Sequence, residues 1–412
     1  MSKRPNILVL MTDQQSADAL SCAGNADLHT PNLDRLAGRG VRFERAYSTF
    51  PLCGPFRAGM ITGRYPHQVG CMNNQAKLAD EHVARSMGHL FRAAGYATAY
   101  GGKWHAGGPI DLRTDADKFG FEHLCGINDH QLPDTCNAYL RRAHDRPFLL
   151  FASFDNPHNI CEHSRDQLLP WGEVEDVGPV AHPNLPANFA PPAFEAGVLD
   201  VIRNGLACTQ FRYTPERWRR YRHVYHRLCE KVDAQIGQIL DTLDATGLAE
   251  NTVVVFHADH GDHAGAHGLL QKSTSYEESA RVPFIIAPPN TDGRVKRHLV
   301  STGIDLLPTL LDYADINAPD NLPGQSLRPV VEQRPDAPTR TAVFIESTHD
   351  GTDIAMRSVR TDRHKYTLYD RGPNREMLFD LEHDPGELVN LAVEDRHADT
   401  LAEHRRLLHD WC

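Results

Sequence analysis

Apolar residues gather in short runs at residues 7–11, 97–100, 148–154, 252–256 and 282–287, broken at most by a single Thr, Ser or Pro, with a mixed run at 41–47. Runs of this length predict strands buried on both faces. Between them the apolar spacing changes to three and four. Residues 32–38 read as a helix, and 87–94 as another, stopped by Gly95. The longest helical repeat places Trp218, Tyr221, Val224, Leu228, Val232, Ile236, Ile239 and Leu243 on one face, and Gly247 ends it. It leads straight into the apolar run at 252–256. Buried strands separated by helices predict an α/β fold, a large and mostly parallel central sheet sandwiched by helices.

The pattern changes twice. Residues 156–214 hold many prolines and little periodicity. So long an irregular stretch predicts a functional loop, an insertion at the substrate site. After a helical stretch at 305–315, a proline-rich connection spans 319–338. Residues 342–346, 354–359 and 365–369 then alternate like antiparallel strands, and a last helix covers 400–411. We expect a catalytic α/β unit over residues 1–325 and a smaller C-terminal α+β subdomain over 326–412.

Composition narrows the classes. Of 412 residues 41% are hydrophobic and 24% charged, enough for a sizeable core. No apolar run approaches the roughly 20 residues of a membrane helix, so no membrane partner is expected. The formal net charge of −11 argues against a nucleic-acid partner. Nine cysteines without a CxxC pair make neither a disulfide scaffold nor a zinc ribbon. No signal-like run precedes the first strand. A cytoplasmic location is the expectation, or a periplasmic or secreted one if a leader has been removed. Nothing in the pattern sets an oligomeric state.

The candidate chemistry gathers at strand ends, where open α/β sheets bind ligands. Asp13 and Gln14 follow the first strand, and Asp259 and His260 follow the run at 252–256. Together they make a credible ligand set for one divalent cation. His257, Asp262, His263 and His267 add polar density, and we expect His263 and His267 to be solvated loop residues. Cys53 opens a helical segment, where unpaired N–H groups suit a nucleophile that develops negative charge. Arg57 can point back to it. Lys103 and His105 follow the strand at 97–100, His158 follows 148–154, and Lys272 lies in a polar loop. Each has an ordinary reading alone: a turn for Asp13–Gln14, an inert buried thiol for Cys53, solvated side chains for the rest. Together, a nucleophile, a metal and several cations call for a tetrahedral oxyanion substrate.

These residues resemble a type I sulfatase of the alkaline phosphatase superfamily. Cys53 to Arg57 matches the C-x-P-x-R signature, and residues 58–64 match its helical continuation. Residues 30–37, 102–105, 157–158, 259–261 and 276–277 follow in family order, as do Asp380-Leu381 and Asp384-Pro385-Gly386-Glu387. The resemblance implies that a separate formylglycine-generating enzyme oxidises Cys53 to formylglycine, whose hydrated aldehyde attacks sulfur. It implies one divalent metal on Asp13, Gln14, residue 53, Asp259 and His260, Ca²⁺ first, with Mn²⁺ or Mg²⁺ as alternatives. Arg57 would favour the ionised nucleophile, and Lys103 and Lys272 would neutralise sulfuryl oxygens. His105 would serve as base for sulfate release, and His158 would hydrogen-bond the sulfate or protonate the leaving oxygen. The substrate implied is a carbohydrate or aryl sulfate ester.

Two positions depart from the family pattern. Gln14 stands where many members carry a second Asp, and His260 where many carry Asn. That combination is similar to the phosphonate monoester hydrolase and phosphodiesterase branch, an alternative reading. The branch lacks the Gly102–His105 segment, so Lys103 and His105 favour sulfate. A third reading is a non-catalytic oxyanion-binding homologue that keeps Cys53 as a thiol.

Overall fold

The computed structural model describes residues 4–108, 115–175, 177–205, 213–349 and 352–412. Eight strands form the main sheet: β1 (Asn6–Asp13), β2 (Val41–Tyr47), β3 (Ala97–Gly102), β4 (Glu122–Cys125), β5 (Phe148–Pro157), β6 (Thr252–Ala258), β7 (Phe284–Ala287) and β8 (Arg294–Ser301). Their order is β4-β3-β5-β1-β6-β7-β2-β8. Only β7 runs antiparallel to its neighbours. β1 lies in the middle, parallel to β5 and β6.

The apolar runs have the predicted cause. Alternate residues of β1 enter opposite layers, Ile7, Val9 and Met11 on one face and Leu8 and Leu10 on the other. The first face packs Phe56, Phe91 and Leu310 from the helices Cys53–Thr62, Met87–Ala93 and Thr302–Tyr313. The second packs Leu33, Cys136 and Ile236 from Pro31–Ala37, Leu132–Leu140 and Pro215–Ala245. The last of these is 31 residues long. Thr214 caps it by accepting from Arg217 N–H, Pro215 opens it, and Gly247 turns the chain out at φ 71°.

A second sheet, in the order β12-β11-β10-β9, is antiparallel. It comprises β9 (Ala342–Thr348), β10 (Ala355–Thr361), β11 (His364–Tyr369) and β12 (Glu376–Asp380). The terminal helix Ala398–Trp411 covers one face through Leu401 and Leu408. The other face packs Val343, Ile345 and Phe379 against Tyr47, Tyr276 and Leu299 of the main body.

The segment 156–214 is less irregular than its composition predicts. It contains the helices Ile160–Ser164 and Gly197–Gly205. Residues 176 and 206–212 of that expectation lie outside the described residues. Among the described residues no helix is long and apolar enough to cross a membrane.

Candidate active site

Strands β3, β5, β1 and β6 are parallel neighbours, so their carboxyl ends open on one edge. Asp13 is the last residue of β1, Lys103 follows β3, His158 follows β5, and Asp259 follows β6. Cys53 begins its helix behind Leu52. The fold therefore brings these five positions to one place.

Cys53 is buried. Its Sγ lies 3.1 Å from His260 Nε2 and 3.5 Å from Asp13 Oδ1. Asp13, Cys53, Asp259 and His260 each offer one donor atom, all within 4.8 Å of one another. His260 Nδ1 is 3.0 Å from Gly261 O, and an N–H donated there leaves Nε2 as the nitrogen that faces the cluster. Two carboxylates, an imidazole and the residue-53 side chain, all out of solvent, fit a divalent cation.

Arg57 does not reach back to Cys53 with a hydrogen bond. Its guanidinium lies under the cluster, with Nη2 3.0 Å from Asp13 Oδ2 and Nε 3.1 Å from Asp259 Oδ2. Nη1 donates to Lys103 O at 2.7 Å and to Ser153 Oγ at 2.9 Å. Lys103 Nζ bridges Asp13 Oδ2 and Asp155 Oδ1, each at 2.9 Å. Lys272 Nζ donates to Gln14 Oε1, and Gln14 Nε2 donates to Asp262 Oδ2 at 2.7 Å.

The charges set the protonation states. Burial alone would raise Asp13, but Lys103, with Arg57, holds its carboxyl well below the usual range. Burial and Asp13 oppose the Cys53 thiolate, yet Lys272, His260 and Lys103 pull that thiol well down. Burial would lower Lys103, but Asp13 and Asp155 hold it well above an ordinary lysine. Burial, Lys103 and Lys272 push His158 well below an ordinary histidine, which keeps its ring neutral.

His105 is buried and adopts φ 50°, so the chain is not extended at that residue. Among the described residues neither of its ring nitrogens has a hydrogen-bond partner. Its carbonyl oxygen lies 3.6 Å from where a Cβ on Gly54 would stand, which places it beside the start of the Cys53 helix. His263 and His267 are not solvated. Both are buried: His263 pairs with Thr274 Oγ1 at 2.9 Å, and His267 stacks on Tyr276 at 3.7 Å between ring centres. Both lie in the connection 259–276 between β6 and the helix Glu277–Ala280, and both rings pack against Tyr276.

Sequence reasoning missed several partners. Asp155 holds Lys103, and Asp129 accepts the backbone N–H groups of Asp155 and Asn156, each at 2.8 Å. Tyr221, on the apolar face of the long helix, turns its hydroxyl to Asp262 Oδ2 at 2.8 Å. A polar residue directly before Asn156-Pro157-His158 was the one signal for Asp155. Tyr221 gave none, because its ring fits the apolar stripe.

The sulfatase family model matches residues 5–316, and the model of the N-sulphoglucosamine sulphohydrolase C-terminal region matches residues 265–411. The Delta 4,5-hexuronate-2-O-sulfatase of Bacteroides thetaiotaomicron is 32% identical, over 99% of this chain and 89% of that protein. The ulvan-active sulfatase of Formosa agariphila is also 32% identical, over 94% and 77%. A sulfatase crystal structure from Bacteroides thetaiotaomicron superposes with a TM-score of 0.88 at 31% identity, covering 99% of this chain and 92% of that one. The chain belongs to the sulfatase family, within the alkaline phosphatase superfamily, and is a sulfuric ester hydrolase.

Proposed function

We propose that this sulfatase hydrolyses sulfate monoesters of saccharides, with Cys53 matured to formylglycine and one divalent cation, Ca²⁺, bound beside it. The observation that carries this reading is the seat of Cys53 at a helix start, within 3.5 Å of Asp13 and His260 and in the field of Lys103 and Lys272. The hexuronate and ulvan sulfatases support a saccharide as the alcohol.

Asp13, Asp259 and His260, with the side chain of residue 53 and the Gln14 carbonyl, would hold the cation. The cation supplies Lewis-acid charge, and the formylglycine hydrate supplies one hydroxyl to attack sulfur and a second through which sulfate leaves. The other roles fall to the chain's own residues. Lys103 and Lys272 balance charge on the sulfuryl oxygens. A neutral His158 suits a hydrogen bond to one of those oxygens better than service as an acid. His105, with both ring nitrogens unpartnered among the described residues, can take the proton of the second hydroxyl as sulfate is expelled. Arg57 holds both Asp13 and Asp259 in place and helps keep Asp13 ionised, whereas burial and Asp13 push the Asp259 carboxyl up to about 7.

Neutral Gln14 beside the cluster favours, as the second reading, a phosphodiesterase or phosphonate monoester hydrolase. Turnover of defined sulfated saccharides, aryl sulfates, phosphodiesters and phosphonate monoesters separates the two. Cys53→Ala is expected to bring sulfate-ester hydrolysis to background with an unchanged thermal melt. Residual activity within a few fold of the parent defeats the proposal. The mass of the peptide carrying Cys53 tests the third reading, since formylglycine is lighter than cysteine and an unmodified thiol in active protein contradicts the mechanism.

A further inference from the structure

Gln14 is fully buried, at a left-handed φ of 71°. Its backbone is fixed at both ends. The N–H donates to Asp259 Oδ1 at 3.0 Å, and the carbonyl accepts the Tyr225 hydroxyl at 2.9 Å. The freedom left to the side chain is a half-turn of its amide, which exchanges an oxygen for an NH₂ at almost equal volume.

Three neighbours bear on that choice. Cys161 Sγ, 3.4 Å from Nε2 and 3.6 Å from Oε1, accepts weakly and donates weakly, so it does not discriminate. Lys272 Nζ has only protons to give and requires the oxygen. Asp262 Oδ2, 2.7 Å away, requires the NH₂. Asp262 is itself held by two further donors. It takes the Tyr221 hydroxyl on Oδ2 at 2.8 Å and the Ala264 N–H on Oδ1 at 2.7 Å, with no exposure to water. The amide orientation thus follows from what its neighbours can donate and accept.

We propose that Asp262 is a positioning residue of this active site, which fixes the Gln14 amide so that its carbonyl oxygen is the atom turned to Lys272 and available to the cation. The idea rests on the cation-binding reading above. Asp262 in this role makes a neutral Gln act as a one-sided oxygen donor. A carboxylate at position 14 would need no such partner, because both its oxygens accept.

Asp262→Asn keeps the shape and reverses the instruction. The Ala264 N–H retains the oxygen of the introduced amide, so the new NH₂ meets Gln14 and forces its amide over against Lys272. Calorimetric Ca²⁺ affinity of the protein with an unmodified Cys53 thiol is expected to fall by about 10–100-fold, the usual cost of losing an outer-shell partner. Adding Gln14→Glu should bring it back to within roughly threefold, because a carboxylate accepts from the introduced amide and from Lys272 alike. Gln14→Glu alone sets two carboxylates together and should melt below the double variant. That comparison reads hydrogen-bond pairing without any metal. The proposal is overturned by unchanged affinity in a folded Asp262→Asn, by no recovery in the double variant, by a double variant that melts no higher than Gln14→Glu, or by a parent that takes up no Ca²⁺. Sulfate-ester turnover measured in parallel reports on the function separately, since it can fail while the coupling between positions 14 and 262 holds.

Discussion

Lys103 shows how much a single side chain depends on partners far away in sequence. Its ammonium lies between Asp13 and Asp155 at 2.9 Å each, inside the protein. Asp155 is itself held, its N–H by Asp129 and its Oδ2 by Asn159 Nδ2 at 2.6 Å. Asp155→Asn keeps the volume and removes the charge that anchors Lys103 away from Asp13. A hydrogen bond to a charged group is worth about 1.5–3 kcal/mol, so kcat/KM on a sulfate ester should fall by on the order of 10–100-fold. A value within twofold of the parent means Asp13 alone places the lysine. At this scale the sequence was informative about donors and silent about their partners. Cys53, Asp13, Asp259 and His260 carry a recognisable motif or a strand-end position. Asp155, Asp129 and Tyr221 act only through distances that folding creates. For the same reason His263 and His267, polar and loop-borne, read as solvated although both are buried.

At the scale of elements, the strand that launches Lys103 ends in a close approach. Gly102, the last residue of β3, has φ 92°, and a Cβ there would lie 1.9 Å from Ser153 O on β5. Backbone oxygen cannot yield as a flexible side chain can, and Lys103 N–H already bonds to that same oxygen at 2.8 Å. Gly24 is the control, with φ 96° and nothing within 4 Å of its would-be Cβ. Gly24→Ala should cost about 1–2 kcal/mol from backbone strain alone. Gly102→Ala should cost at least about 2 kcal/mol more, since the clash adds to the strain. Urea unfolding of the two variants measures the difference, and equal losses discard the close-approach argument. The elements themselves were legible where they are buried. β1, β5 and β6 run through the centre of the sheet and show apolar runs. β4 and β8 leave no such run because they form its two edges. β4 is four residues with an exposed Glu122 and His123, and β8 opens Arg294-Val295-Lys296-Arg297-His298, with one apolar residue among the first five. Edge strands face water and carry charge, which erases the apolar signal.

For the whole molecule, the question is what holds the antiparallel sheet β9–β12 against the main body. Beside the apolar contacts of Tyr47, Tyr276 and Phe379, the junction carries a buried charge network: Glu277 and Glu387 fall in recognisable motifs, but nothing in the sequence announces that Lys365 joins them. Lys365 of β11 is fully buried, 2.9 Å from Glu277 Oε1 in the main body and 2.8 Å from Glu387 Oε1 beyond β12. Glu387 Oε2 in turn accepts the Glu277 N–H at 2.7 Å. Burial would raise Glu277, but Lys365, Arg281 and Arg360 outweigh it and bring the carboxyl down to about 2. Its stabilisation is therefore complete above the unfolded value near 4.5 and is lost as pH falls toward 2. Glu387 runs the other way. Burial and the neighbouring Glu277 and Glu278 outweigh Lys365 and push it up to about 8. The folded state thus keeps a proton there that the unfolded chain releases near 4.5, so this group makes stability fall as pH climbs from about 4.5 to 8. Lys365→Met keeps the length of the side chain and removes the charge shared by both carboxylates. Breaking a buried pair in this way costs about 3–5 kcal/mol at neutral pH. Glu277 then loses its largest stabilising neighbour, its folded value rises, and the folded state binds up to one more proton than the parent. The stability of the variant should accordingly fall more steeply between about pH 5 and pH 7, by up to about 1.4 kcal/mol per pH unit beyond the parent. Chemical denaturation of both proteins at about pH 5, 6 and 7 measures the two slopes. A variant as stable as the parent, or one equally destabilised at all three values, would mean that the sheet is held by its apolar face and that Lys365 is not the link.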